Sequence, residues 1–250
     1  MNTDIVILAA GKGTRMQSSL PKVLHSLAGR PMLSHVLAAA DSVANANKII
    51  VTGHGAAQVE EAMAHTGSTF VQQIEQLGTA HAVQMAIPHI REGARVLILY
   101  GDVPLITPTT IEKMLAAVSA TTLGLLTIQL DNPLGYGRIV RNSAGDIESI
   151  VEQKDANAEQ LKINEVNTGV LALGAHQLNK WLPQIDNNNA QQEYYLTDLI
   201  ALARKDGCSV ISVHPASATE VEGVNNRVQL SQLERAYQLQ QAEQLMLSGT

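Results

Sequence analysis

The first apolar run of the chain, residues 5–8, is unbroken and rich in β-branched side chains, the pattern of a strand buried on both faces. Strand-like and helix-like patterns then alternate. Residues 31–43 predict a helix with proline in its first turn, 48–52 a strand, 56–65 a helix, and Thr69–Gln72 a short strand. Residues 79–90 place Ala80, Val83, Ala86, Ile87 and Ile90 on one stripe, as an amphipathic helix does. Arg95–Tyr100 is the most apolar strand candidate and is expected at the centre of the sheet. Residues 107–118 read as a helix and 124–130 as a strand. Such alternation predicts an α/β fold with a mostly parallel central sheet, helices on both faces and right-handed crossovers.

The period then changes. Arg138–Arg141 and Ile147–Val151, joined through Ser143, Ala144, Gly145 and Asp146, predict a hairpin. A strand over 166–173, a short helix over 178–183, a loop over 186–189, a helix over 195–205 and a strand at Ser209–Val213 follow. Residues 135 to about 189 are expected to form an antiparallel lid on the sheet edge, next to the carboxyl ends of the strands, where open α/β sheets bind ligands. From Arg227 onward the pattern is helical, with apolar positions including Val228, Leu230, Leu233, Tyr237, Leu239, Leu245 and Met246. A helix packed on the domain would carry these, and so would an arm leading to a further part of a longer protein; the arm is preferred. The chain divides accordingly into 1–226 and a helical arm over 227–250.

Composition narrows the chemistry. The 250 residues are 45% hydrophobic but only 3% aromatic, so the core is built from aliphatic side chains. A net charge of −6 argues against a general nucleic-acid binder, and any anionic ligand must be met by locally placed cations. The single cysteine, Cys208, excludes an internal disulfide framework and is expected to pack as a small apolar residue. No secretory leader opens the chain and no run approaches the ~18 apolar residues of a spanning helix, which predicts a soluble cytoplasmic protein without membrane insertion. The eight histidines form no His-x-x-x-His or His-x-His pair, and no serine sits in a Gly-x-Ser-x-Gly elbow. Zinc chemistry and a hydrolase triad are therefore not expected.

The apolar run at 5–8 empties into Ala9, Ala10 and the turn Gly11-Lys12-Gly13, followed by the cations Arg15 and Lys22. Successive backbone N–H groups in a glycine turn form an anion-sized concavity. Met16 breaks the dinucleotide fingerprint, which disfavours an NAD-dependent dehydrogenase, and no Walker A loop is present. Spacing alone leaves a phosphate site and a plain strand-to-helix turn equally open. Asp102, at the end of the central strand, suits a hard cation such as Mg²⁺, although a turn aspartate bonded to local backbone has the same pattern. Asn225 could supply an amide oxygen or cap the final helix. Gln72, Gln73 and the run from Glu75 to Thr79 could read a pyrimidine edge or form a polar loop. In the expected lid, Gly135 to Arg138, Glu152 and the Asn167-Thr168-Gly169 run offer bare backbone, a carboxylate and an amide, which suit sugar hydroxyls.

Leu8 to Met16 together with Leu20, Pro21 and Lys22 resembles the signature of sugar-1-phosphate nucleotidylyltransferases. Gln73, the Glu75–His81 run, Tyr100 to Pro104, Gly135 to Arg138, Glu152, Asn167 to Gly169, Asn187 to Ala190, Glu193 to Tyr195 and Glu222 to Asn226 narrow the likeness. Together they resemble the uridylyltransferase domain of the bacterial bifunctional N-acetylglucosamine-1-phosphate uridylyltransferase/glucosamine-1-phosphate acetyltransferases. The resemblance implies a Rossmann-like nucleotidyltransferase fold that moves UMP from UTP to N-acetylglucosamine 1-phosphate. The products would be pyrophosphate and UDP-N-acetylglucosamine, a precursor of peptidoglycan and lipopolysaccharide.

The resemblance places Leu8, Ala9, Ala10 and Gly11 on the nucleotide, and Arg15 and Lys22 on its phosphates as the catalytic pair. It places Gln73, Gly78 and Thr79 around the uracil, and Tyr100, Gly101 and Asp102 near ribose and metal. Gly137, Glu152 and Asn167 fall on the amino sugar, and Asp102 and Asn225 on Mg²⁺. The family continues into a left-handed β-helix that carries the acetyltransferase and builds a homotrimer. Acetyl transfer is therefore not expected of these residues, and trimerisation is left open. Rival readings are a nucleotidylyltransferase using TTP or GTP with another sugar, and a non-catalytic UDP-sugar-binding module.

Overall fold

The computed structural model describes residues 2–249; Met1 and Thr250, the last residue of the expected arm, lie outside it. Strand β1 (Thr3–Ala9) leads through short turns and the small ribbon β2 (Ser26–Leu27) and β3 (Arg30–Pro31) to helix α1 (Met32–Ala40). Then come β4 (Asn47–Thr52), α2 (Ala56–Met63), β5 (Thr69–Gln72), α3 (Thr79–Ala86), β6 (Arg95–Tyr100), α4 (Pro108–Ala116) and β7 (Thr122–Gln129). The hairpin is β8 (Arg138–Arg141) and β9 (Ile147–Val151), followed by β10 (Glu165–Gly174) and α5 (Ala175–Trp181). Last come α6 (Leu199–Lys205), β11 (Ser209–Val213) and α7 (Arg227–Leu247).

The main sheet runs β11-β7-β10-β6-β1-β4-β5, so the most apolar strand, β6, does take the centre. Its neighbours are parallel except β10, which is antiparallel to both β6 and β7. Alternation along β1 builds two hydrophobic layers. Val6 and Leu8 pack with Ala80, Val83 and Ala86 of α3 and with α5 and α6. Ile5 and Ile7 pack with Leu33 and Val36 of α1, Val59 of α2 and Met114 of α4. A third, smaller cluster of Met16, Leu27, Met32, Val224 and Leu233 fastens the start of α7 to the loop after β1.

Four local expectations are corrected. Helix α3 ends at Ala86 rather than Ile90, because Pro88 lacks an N–H and the chain tightens into a 3-10 turn at Ile87–His89. Pro31 precedes α1 instead of entering its first turn. The 195–205 helix opens as a 3-10 turn, Leu196–Asp198, before α6. The strand expected in the lid, β10, lies inside the central sheet, leaving β8 and β9 as the antiparallel projection. An apolar run reports burial, not direction: the chain returns from the hairpin on the ligand side and so enters the sheet against the other strands.

Helix α7 buries Leu233 and packs Leu230 and Tyr237 against the third cluster. Leu239, Leu245 and Met246 remain exposed on its second half. Cys208 is buried within the first layer. Among the described residues no helix is long and apolar enough to cross a membrane.

Candidate active site

The site opens beyond the carboxyl ends of β1, β5 and β6, as a cleft of about 430 Å³. Leu8, Ala9 and Ala10 are buried in its floor, and Gly11 and Lys12 continue its wall. Gly13 has φ +59°, and a Cβ there would lie 2.7 Å from Cβ of Lys22, so glycine lets the turn close onto the segment that carries the lysine. The Met16 N–H donates to the Gly13 carbonyl at 2.9 Å, and the Met16 side chain anchors the turn in the third apolar cluster. The methionine that spoils a dinucleotide fingerprint is thus the peg of this glycine turn.

Charges converge at one end of this cleft. Lys22 Nζ donates to Asp102 Oδ2 and, at 3.4 Å, to Asn225 Oδ1. Arg15 Nη2 donates to the same Asn225 oxygen at 2.9 Å. The backbone holds the acid in place: Gly101 N–H donates to the Leu8 carbonyl and Val224 N–H to the Asp102 carbonyl, each at 2.9 Å. Asn226, not Asn225, caps α7 by accepting from Gln229 N–H at 2.9 Å, which leaves the Asn225 amide to face Lys22 and Arg15. Gly101 is buried beneath, against Val23 and Leu33, so it supports the wall from behind.

At the other end, Gln73 is 3% exposed and its amide donates to the Gly78 carbonyl at 3.0 Å. Thr79 Oγ1 accepts from Leu196 N–H at 3.0 Å, and the Ala80 N–H donates to the Tyr194 carbonyl at 2.9 Å. Gly78 has φ +119°, and a Cβ there would stand 2.6 Å from the Tyr194 carbonyl oxygen. Gly78→Ala is therefore expected to destabilise the protein by about 1–3 kcal/mol and to spread this loop. Urea unfolding checks it; an unchanged midpoint would contradict the strain. Lys12, Val23, Gln76, Ala82 and Glu193 also line the cleft, and no pattern in the sequence singles them out as site residues. Gln76 donates to the Ala10 carbonyl at 2.8 Å and so ties the loop after β5 to the glycine turn after β1, a contact that spacing along the chain could not reveal.

Tyr100 lines both this cleft and a small cavity bounded by Asn167, Gly169 and Thr197. Its ring lies against the Gly169 backbone, where a Cβ would come within 2.5 Å. Burial, then the carboxylates of Glu152 and Asp102, push its phenol up. Asn167 Oδ1 accepts from Gly169 N–H at 2.9 Å, and the Asn167 N–H donates to the Gly137 carbonyl at 2.9 Å. The Glu152 carboxylate rests 3.4 Å from where a Gly137 Cβ would sit and accepts from Thr197 Oγ1 at 3.1 Å. All the residues expected to serve the sugar are therefore neighbours, beyond Tyr100.

Burial raises the Glu152 carboxyl, with Asp155, Asp198 and Glu193 adding to the rise and the Thr197 bond opposing it. Nearby, Asp198 is pushed up to about 6, by burial first and then by Asp186 and Asp155. The folded protein thus holds this proton more tightly than the unfolded chain. Stability should fall as pH rises from the ordinary aspartate range, about 4, to about 6. Asp198→Asn is expected to add on the order of 1 kcal/mol at about pH 7.5, discounted for the solvent its carboxyl still meets, and nothing near pH 4. Urea midpoints at the two pH values test this; an equal change at both would count against it.

Comparison with known proteins follows from this geometry. The family profile of the MobA-like NTP transferase domain matches residues 5–157. The chain is 53% identical over 249 residues to the "Bifunctional protein GlmU" of Idiomarina loihiensis, covering 100% of this chain and 55% of that protein. It is 54% identical over 246 residues to the protein of the same name from Cellvibrio japonicus, covering 98% of this chain and 54% of that one. The chain thus spans about half the length of the curated relatives it matches. Among solved structures, a UDP-glucose pyrophosphorylase complexed with UDP-glucose superposes with a TM-score of 0.74 at 17% identity, covering 96% of this chain and 100% of that one. At that identity the likeness speaks to the fold.

Proposed function

Because the chain belongs to the MobA-like NTP transferase domain family, we propose that it transfers UMP from UTP to N-acetylglucosamine 1-phosphate, releasing pyrophosphate and forming UDP-N-acetylglucosamine. The observation that carries this reading is the joining of Arg15, Lys22, Asp102 and Asn225 in one hydrogen-bonded group at the mouth of the glycine turn. Had the turn and the acid lain too far apart to grip one triphosphate, the reading would have no support. The likeness over the whole chain to proteins named GlmU supports it further.

In this reaction a phosphate oxygen of the sugar phosphate attacks the α-phosphorus of UTP. A new P–O bond forms, and the α–β bridge bond breaks with its electron pair leaving on pyrophosphate. The nucleophile is already ionised, so no general base or covalent intermediate is required. The barrier is mostly repulsion between anions and their alignment. Lys22 and Arg15 offset charge on the transferring and leaving phosphates, and the backbone of Gly11 and Lys12 cradles them. Gln73, Gly78 and Thr79 receive the uracil. Tyr100 separates the base end from the sugar end, where Gly137, Glu152 and Asn167 meet the amino sugar.

The oxygens of Asp102 and Asn225 already accept from one ammonium, so a single cation can reach both, and a carboxylate with an amide suits a hard ion that keeps its waters. Mg²⁺ held there would supply further charge neutralisation on the phosphates. The product would serve peptidoglycan and lipopolysaccharide synthesis in the cytoplasm. The relatives are named bifunctional and are about twice as long as this chain; a second activity would belong to the part outside the alignment, and assembly into trimers would depend on that part too. The test pairs UTP, TTP, GTP and CTP with N-acetylglucosamine, glucosamine and glucose 1-phosphates, reading pyrophosphate and product. Highest turnover with any other pair overturns the substrate assignment, and nucleotide-sugar binding without pyrophosphate overturns catalysis.

A further inference from the structure

Arg138 is 2% exposed, yet the partners of its guanidinium are a carbonyl and an amide rather than a carboxylate. Nη1 donates to the Tyr136 carbonyl and Nη2 donates to Gln153 Oε1 at 2.8 Å, while Nε is buried with no hydrogen-bond partner among the described residues. Burying a full positive charge on neutral acceptors, with one donor unmet, opposes folding. Such an arrangement calls for a role beyond filling space.

Its place in the sheet supplies one. Arg138 pairs with Val151 of β9 on one side and with Val166 of β10 on the other. Gly137 directly precedes Arg138, Glu152 directly follows Val151, and Asn167 directly follows Val166. Backbone pairing therefore sets Arg138 at the junction of the three segments that carry Gly137, Glu152 and Asn167, and its side chain ties Tyr136, next to Gly137, to Gln153, next to Glu152. Gln153 extends the clamp, because its Oε1 also accepts from Gly135 N–H at 3.1 Å, holding the turn that leads into Gly137. The 2.9 Å bond from Asn167 N–H to the Gly137 carbonyl closes the ring of contacts.

We propose that Arg138 is a positioning residue that sets the spacing of Gly137, Glu152 and Asn167, and through them the recognition of an amino-sugar phosphate, without touching the substrate itself. This rests on the reading of the sugar end given above. A planar fork can meet the Tyr136 carbonyl and the Gln153 amide at once, whereas a lysine ammonium is a point donor.

Steady-state kinetics of Arg138→Lys, Arg138→Met and Gln153→Ala, with each substrate varied separately, test the role. Arg138→Lys and Arg138→Met are expected to raise KM for N-acetylglucosamine 1-phosphate about tenfold or more while KM for UTP stays within about twofold. Gln153→Ala should raise the same KM about threefold, since the Tyr136 bond survives. A merely structural arginine would move both KM values together or neither, and either result overturns the proposal. Should Arg138→Met fail to fold, the lysine and Gln153 variants decide by the same criterion. A wild-type protein inactive with every substrate pair sinks the functional reading and this proposal together. An active wild type with unaltered sugar-phosphate KM in the variants sinks the positioning role alone.

Discussion

Replacing Lys22 with alanine is expected to slow pyrophosphate release from UTP by about 10²–10³-fold, with kcat carrying most of the loss. Lys22 stands between the two chemical requirements of the site. Its ammonium donates to Asp102 and Asn225, and it lies in the wall of the cleft beside the glycine turn. In the proposed reaction charge builds on the leaving pyrophosphate as the α–β bond breaks, so a cation placed there would stabilise the transition state more than the bound substrate. Both side chains of the Lys22–Asp102 pair are largely shielded, at 15% and 16% exposure, so water screens the lysine poorly and cannot readily replace it. Arg15, by contrast, is exposed and reaches the site from its rim. A Lys22→Ala rate within about threefold of wild type, in a coupled pyrophosphate assay at saturating UTP, would remove lysine from the catalytic machinery.

Asp102→Asn should be nearly as severe, again on the order of 10²–10³-fold, although it leaves the shape of the side chain unchanged. The carboxylate is held at the end of β6 by its own carbonyl, which accepts from Val224 N–H, and by the neighbouring Gly101–Leu8 bond. The substitution therefore alters charge without shifting the backbone. Two effects coincide: the proposed hard-cation site keeps only amide oxygens, and Lys22 loses its ionic partner. Equilibrium binding of Mn²⁺ in the presence of UTP separates them from a folding defect, since it should weaken at least about tenfold while the urea midpoint changes little. Wild-type turnover with unaltered Mn²⁺ binding would leave Asp102 as an ordinary turn residue.

The alternation of apolar runs was enough to place β1, β4, β5, β6 and β7 and their helices, because a strand covered on both faces has little freedom in composition. The glycine turn was legible for a similar reason: only glycine can occupy the positions where the backbone bends left-handed against Lys22 or Tyr194. The direction of β10 was not legible, since its apolar residues satisfy either orientation equally. Nor could Asn225 be told from Asn226, one facing the cations and the other capping α7, because adjacent asparagines look alike until the helix start is known.

What the amino-acid order determined by itself was therefore local: where strands and helices form, where the chain must bend, and which residues carry charge near the bend. What the tertiary structure decided was partnership. Lys22 meets Asp102 across 80 positions and Asn225 across 203, Gln76 reaches back 66 positions to Ala10, and Arg138 pairs with β9 on one side and β10 on the other. Local patterns follow from the backbone and side-chain preferences of neighbouring residues, whereas these contacts exist only once the sheet has set the order, direction and register of its strands.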